Sequence, residues 1–263
     1  MLVRPRESDG SGLEVLLMRR SAESAFAPRA YVFPGGVLDS HDVAAGVGER
    51  AYGLDQERVA RDFRSVAHPD LPVSVPAISK GEAAGLYYTA LRELFEEAGV
   101  VVARDLKENP IVSDCGTLGI VATRQRVRLG AINYDQALAN KHWTPDASAL
   151  TLFSHWITPE TEPRRYDTYF FVAVAPHDLI VEADETETSD QRWMAPQEAL
   201  DIHAEGRLYL VYPTIKHLQR LATFDDVAKL QAFAREKPIY TIVPNAAEDD
   251  ETYELPASLE NHW

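Results

Sequence analysis

The sequence predicts an α/β chain of the α+β kind: a mixed sheet with helices packed on it, plus a largely helical insert. Three observations carry that expectation. Short apolar runs at residues 13–18, 31–33, 149–156 and 169–174 have the length of buried strands. Residues 81–98 repeat apolar side chains at helical spacing. Between the second run and that helix, residues 40–80 form a segment of different character, with prolines at 69, 72 and 76.

In chain order, residues 13–18 (Leu-Glu-Val-Leu-Leu-Met) read as a strand followed by a basic turn at Arg19 and Arg20. Tyr31, Val32 and Phe33 form a second extended piece, stopped by Pro34, Gly35 and Gly36. Within the insert, residues 55–66 have a helical pattern, and 68–76 are broken by proline. The helix over 81–98 ends at Gly99, which enters the left-handed conformation at least cost. Residues 100–102 begin a β-type run. The runs 149–156 and 169–174 are expected to be neighbouring strands joined by a polar hairpin loop at 158–167, with Asp167 a turn residue before its strand. Residues 179–194 read as an acidic stretch ending at Arg192, Trp193 and Met194. Helical spacing returns at 196–204 and 212–222, and an acidic, mobile tail is expected from about 246. The alternation of strands and helices suits one domain over 1–263, with an insertion at about 40–80.

At 263 residues the chain can bury a full core, and 45% hydrophobic with 25% charged residues is an ordinary globular composition. The formal net charge of -15 argues against a sequence-independent nucleic-acid surface, while leaving room for a local basic pocket. Cys115 is the only cysteine, so no intrachain disulfide forms; it reads as a small buried apolar residue. No stretch is long enough to span a membrane, and no apolar run follows a basic amino-terminal region. A cytoplasmic enzyme is the expectation. The eight histidines show no H-x3-H or H-E-x-x-H arrangement, which argues against zinc.

The most informative segment is Ala90-Leu91-Arg92-Glu93-Leu94-Phe95-Glu96-Glu97-Ala98-Gly99-Val100. On a helix Glu93, Glu96 and Glu97 share a face, and Ala90, Leu91, Leu94, Phe95 and Ala98 take another. Like charges three and four apart weaken an isolated helix, so the cluster needs another reason to exist. A hard divalent cation supplies one, because magnesium takes a few carboxylates and bridges to substrate phosphates. At residue frequencies of roughly 6% each, the five fixed positions of R-E-x-x-E-E-x-G coincide by chance on the order of once in a million starts.

Taken with Gly35-Gly36-Val37-Leu38-Asp39, this segment resembles the two halves of a Nudix box, G-x5-E-x7-R-E-U-x-E-E-x-G-U with U aliphatic. The resemblance implies an α/β/α sandwich and metal-dependent hydrolysis of nucleoside diphosphates linked to another group, with Mg2+ or Mn2+. Here the box is interrupted by an insert of about 42 residues. Counting from Gly36 places Asp42 at the first acidic position, whereas counting back from Arg92 places Ala84 there, with Glu82 two residues away; the sequence does not choose between them.

A long insert in the box is similar to the coenzyme A and acyl-coenzyme A diphosphatase branch. That branch's upstream motif, L-L-T-x-R-S-x3-R-x3-G-x3-F-P-G-G, falls on Leu16-Leu17-Met18-Arg19-Arg20-Ser21 through Phe33-Pro34-Gly35-Gly36 with every spacing kept. Met18 stands for threonine, Ala25 for the second arginine and Arg29 for glycine. The resemblance continues over Trp156 to Glu160 and Pro163 to Thr168. It implies Glu93, Glu96, Glu97 and the Gly36 carbonyl as metal ligands, and Arg92 as the partner of a box carboxylate. The implied base is Glu93, or alternatively Glu187. Phe33, Arg20, Arg29, Arg164 and Arg165 are candidates for binding substrate, the arginines as phosphate clamps. Trp156 and Trp193 are candidates for stacking on a base, against the commoner role of buried strand aromatics.

The expected activity is hydrolysis of coenzyme A or acyl-coenzyme A to 3',5'-ADP and (acyl-)4'-phosphopantetheine. The alternatives are an ADP-ribose or nucleotide-sugar pyrophosphatase, which Ala25 favours, and a non-catalytic ligand-binding regulator on the same fold. Expected partners are a small-molecule nucleoside-diphosphate substrate and a second copy of the chain as a homodimer, with neither nucleic acid nor membrane. The insert is open to reading as a lid, a dimer contact or a neutral addition.

Overall fold

The computed structural model describes residues 1–263 apart from 7–11, 25, 45, 47–49, 65–77, 182–187, 247–252, 256–258 and 260–262. Its first strand, β1 (Leu2–Pro5), pairs antiparallel with β2 (Leu13–Arg20), which in turn pairs antiparallel with the short β3 (Tyr31–Val32). The insert contributes α1 (Gln56–Asp62), shorter than its sequence pattern. There follow α2 (Lys80–Ala98), β4 (Val100–Arg104), β5 (Pro110–Asp114), α3 (Val121–Arg128), α4 (Tyr134–Ala139) and β6 (Thr144–Pro145). Next come the expected hairpin of β7 (Thr151–Ile157) with β8 (Asp167–Val174), and then β9 (Thr188–Met194). The chain ends in α5 (Pro196–Ala204), α6 (Tyr212–Leu221), α7 (Val227–Glu236), β10 (Thr241–Ile242), β11 (Asn245–Ala246) and β12 (Tyr253–Glu254).

The main sheet runs β10-β7-β8-β1-β2-β3, with β9 also on β2. It is mixed, because β1 lies parallel to β8 and β10 parallel to β7 while the other pairs are antiparallel. A second, three-stranded sheet has the order β5-β4-β6.

The continuous apolar runs are explained by burial of both sheet faces. Successive side chains of a strand point to opposite faces. Leu16 and Met18 of β2, Leu152 of β7 and Phe171 of β8 enter one core, which they share with α2, β4 and α4. Their neighbours Val15, Leu17, Phe153 and Val172 enter another, packed with α5, α6 and α7. Helices on both sides of the sheet make the expected α/β/α arrangement.

Two expectations are corrected. Residues 179–194 are not merely an acidic stretch, because seven of them form β9 along most of β2, from Val15–Met194 to Arg20–Thr188. The region beyond 246 is not simply a solvated tail. β12 pairs with β11, and Leu255, Leu259 and Trp263 are buried in the second core. Apolar residues spaced four apart in a polar segment are a weak signal that tertiary burial decides. Cys115 is buried, as expected.

Candidate active site

The site is built at the carboxyl-terminal half of α2. This helix starts with a capping box, in which the Ser79 hydroxyl accepts from the Glu82 N–H at 3.2 Å and the Glu82 carboxylate accepts from the Ser79 N–H at 3.0 Å. Glu82 is therefore committed to capping, and Ala84 is buried in the core. The helix ends at Gly99, φ 67°, and its last carbonyls are held from outside. Arg124 of α3 donates to Glu96 O at 3.1 Å and Glu97 O at 2.8 Å. Leu91, Leu94, Phe95 and Ala98 bury one face in the core, which leaves Glu93, Glu96 and Glu97 half-buried on the other.

The glycine turn meets this face. The Gly35 N–H donates to Glu97 Oε2 at 2.8 Å. Gly36 lies against Glu93 so closely that a Cβ built on it would sit 2.2 Å from Glu93 Oε1. Glycine is therefore required by the approach itself, since any side chain at 36 would displace the carboxylate.

Arg92 joins the two halves. Its Nε donates to Asp42 Oδ1 at 3.0 Å and its Nη2 to Asp42 Oδ2 at 2.8 Å, a bidentate pair. Nη2 also reaches Val37 O at 3.1 Å, while Nη1 donates to Glu93 at 2.8 Å and Glu96 at 3.3 Å. Asp42 is fully buried and accepts further bonds from the Thr89 hydroxyl at 2.8 Å and the Asp39 N–H at 3.1 Å. Of the two ways of counting the interrupted motif, the structure selects the one from Gly36. The chain places Asp42 beside α2 despite the insert, and Gly85 lets the Asp42 carbonyl approach the helix, where a Cβ would stand 3.0 Å from it.

Electrostatics follow from this packing. Burial alone would pull the Arg92 guanidinium down, but the hydrogen bonds and charge of Asp42, with Glu93 and Glu96, more than offset it, so its pKa is raised. Burial pushes the Glu93 carboxyl up to about 7; Arg92 opposes that shift, and the charges of Glu96 and Asp42 add to it.

The donors available here are all oxygen: Glu93, Glu96, Glu97 and the backbone at Gly36. That set suits a hard divalent cation. The cradle at Gly36, which a Cβ would fill, and the gathering of carboxylates on this face both fit such an ion. Among the described residues no three acidic, histidine or cysteine side chains already converge on one point. Arg92 instead occupies the space between Glu93 and Glu96.

The remaining candidates are dispersed. Arg20 donates from Nε to Phe26 O at 3.0 Å, and Arg29 is exposed with φ 65°. Arg165 binds Thr158 O at 2.9 Å, and Arg164 lies over the Tyr166 ring at 5.5 Å. Both are in the loop between β7 and β8. Phe33 is a correction: its ring is a core contact, buried against Phe170 and His217, because the residue directly after β3 turns into the second core. Trp156 is likewise buried in that core, and Trp193 is half-buried with Arg4 over its ring at 4.3 Å. Asp167 accepts from His155 Nε2 at 2.6 Å at the start of β8. Glu187, the alternative base, lies outside the described residues. Sequence reasoning passed over Thr89 and Arg124, which carry no motif of their own.

Comparison with known proteins places these features in context. A family model, the NUDT19 Nudix domain, matches residues 2–221. The human acyl-coenzyme A diphosphatase NUDT19 is 31% identical over 245 residues, covering 87% of this chain and 65% of that protein. The Xenopus laevis protein of the same name is 28% identical, covering 87% and 64%. The chain thus spans slightly less than two thirds of these relatives' length. A crystal structure of a Nudix hydrolase from Alicyclobacillus acidocaldarius superposes with a TM-score of 0.65 at 25% identity, over 88% of this chain and 93% of that one.

Proposed function

From the fact that this chain belongs to the NUDT19 Nudix domain family, we propose that it hydrolyses the diphosphate linkage of coenzyme A or acyl-coenzyme A. The products would be 3',5'-ADP and 4'-phosphopantetheine or its acyl form. The observation that carries the reading is the Asp42–Arg92 pair, which closes an interrupted box and leaves Glu93 against Gly36. The acyl-coenzyme A diphosphatase names of the human and Xenopus relatives support the choice of substrate.

In this reading Glu93, Glu96, Glu97 and the Gly36 carbonyl hold Mg2+ or Mn2+. An ion held there would supply positive charge to the diphosphate and acidity to an attacking water. Glu93 would receive that water's proton. Arg92, anchored on Asp42, fixes the rotamers of Glu93 and Glu96. Arg20, Arg29, Arg164 and Arg165 supply charge to the phosphate-bearing substrate. A cytoplasmic location, a homodimer and a single domain over the whole chain belong to the same proposal.

Ala25, standing where the upstream motif has arginine, favours a second reading, an ADP-ribose or nucleotide-sugar pyrophosphatase. Rates on coenzyme A, acyl-coenzyme A and ADP-ribose, compared at equal concentration, separate the two. A higher kcat/KM for ADP-ribose would replace the first reading with the second, and binding of either compound without cleavage would favour a non-catalytic regulator.

A further inference from the structure

We propose that the chain carries a second ligand site, a cationic cavity that binds a phosphate-bearing small molecule. It goes beyond the hydrolytic reading, and its evidence is independent of it. The cavity, about 450 Å³, lies between α1 and Arg64, the start of β7, and the end of α7 with the turn that follows. That volume falls within the range of small-molecule sites, about 300–1,000 Å³.

Its charge sets it apart from the rest of the molecule. Among the described residues, Arg58, Arg61, Arg64, Arg235 and Lys237 line it with a single carboxylate, Asp62, although the chain has 41 acidic and only 26 basic residues. Asp62 is already engaged by the wall: it accepts from the Tyr87 hydroxyl at 2.5 Å, Arg61 Nε at 3.0 Å and Arg58 Nε at 3.3 Å. Arg58 is also fixed, donating to Gly53 O and Leu150 O at 2.7 Å each. Lys237 braces the turn, with its Nζ 4.6 Å from the centre of the Phe153 ring, where burial pulls its pKa down to about 7, so the arginines carry the cavity's charge. Arg61, Arg64 and Arg235 are exposed at the rim. Guanidinium groups gathered around a concavity match phosphate oxygens bidentately, and in so acidic a protein their concentration at one place creates a local attractive field.

The wall comes from parts that the interrupted motif does not need. α1 belongs to the insert, and α7 lies beyond the residues matched by the family model. Its wall nevertheless contacts α2. The Arg58 guanidinium lies 4.8 Å over the Tyr87 ring, and Tyr87 precedes Glu93 on α2 by six residues, about 9 Å along the axis.

Titration calorimetry with pyrophosphate, at low salt and without divalent metal, tests the site on wild type, Arg61→Ala/Arg235→Ala and Arg20→Ala/Arg29→Ala. The expected result is saturable binding to wild type that weakens with salt. The cavity pair should lose at least about tenfold in affinity with an unchanged ligand-free Tm, and the Arg20/Arg29 pair less than about threefold. Kinetics then identify the source of the phosphate. If it is the substrate's own distal phosphate, the cavity pair raises KM for coenzyme A but not for its dephospho form. If the ligand is separate, KM stays and pyrophosphate still binds beside substrate. Absence of saturable binding, or a loss confined to the Arg20/Arg29 pair, would overturn the proposal.

Discussion

Asp42 is a residue whose role depends on one partner. A buried carboxylate is tolerated because Arg92 and Thr89 satisfy both oxygens, and removing it leaves a half-buried guanidinium facing its own void. Breaking one side of a buried pair costs about 3–5 kcal/mol. Asp42→Ala is therefore expected to lower unfolding free energy by about that amount, read from denaturant midpoints at constant m. It should also slow turnover of the molecules that remain folded, because Arg92 no longer holds Glu93. Gly36→Ala is expected to do the reverse, leaving stability within about 1 kcal/mol while abolishing most activity, since its methyl would take the space of the Glu93 carboxylate. A Gly36→Ala enzyme with wild-type kcat/KM would show that this close approach is not needed. At this scale the carboxylates and glycines were legible because their spacing is local. The Asp42–Arg92 pair was legible only as one of two alternatives, since two residues 50 apart in sequence carry no register between them.

Among the elements, α2 matters most, and both its ends are built to hold its direction. Ser79 caps one end. Arg124, mostly buried, donates to the carbonyls of Glu96 and Glu97 at the other. Arg124→Met keeps the length of the stem but leaves those carbonyls without this donor, a loss of about 1–3 kcal/mol. Thermal unfolding should show the loss, and metal titration should show weaker binding, because the carbonyls belong to two of the three candidate ligand residues. Unaltered metal affinity in a destabilised variant would confine Arg124 to a structural role. The helix and the β7–β8 hairpin were readable from periodicity and polar turn residues. β1 and β9 were not. β1 is only four residues long, and β9 opens with Thr-Ser-Asp-Gln, so its pairing rests on backbone hydrogen bonds to β2 that no side-chain pattern announces.

The whole molecule is a sheet between two cores, and the second core holds a titratable group. His217 is fully buried, with Nε2 on the Ser154 hydroxyl at 2.7 Å and Nδ1 on Pro213 O at 2.6 Å. Burial, the largest cause, pulls its pKa down to about 3. The unfolded chain takes up this proton near pH 6.5 and the folded one does not, so the sign is fixed. This contribution to stability is complete above pH 6.5 and is lost steadily as pH falls from there towards 3. Plotted against pH over 4–6, the unfolding free energy of wild type should fall more steeply than that of His217→Gln, by close to one proton. Parallel slopes would place the histidine's proton elsewhere. Trp263 packs edge-on against Trp156 and His217, at ring distances of 5.2 and 5.1 Å. Trp263→Ala is expected to cost about 3–5 kcal/mol while leaving kcat/KM of folded enzyme unchanged. The strands were legible because apolar runs exposed to two cores have a recognisable length, and the layer order was implied by the resemblance. The docking of the last residues was not, because it depends on what the rest of the fold leaves uncovered.

The central claim is that an interrupted motif reassembles into one metal-dependent diphosphate-cleaving centre. Incubation of wild type and Glu93→Gln with coenzyme A and Mg2+, with products identified by mass, tests it most directly. Wild type should yield 3',5'-ADP and 4'-phosphopantetheine, and the variant should be slower by about a hundredfold or more. Equal rates for the two proteins, or no cleavage by wild type of coenzyme A or any other nucleoside-diphosphate compound, would contradict it.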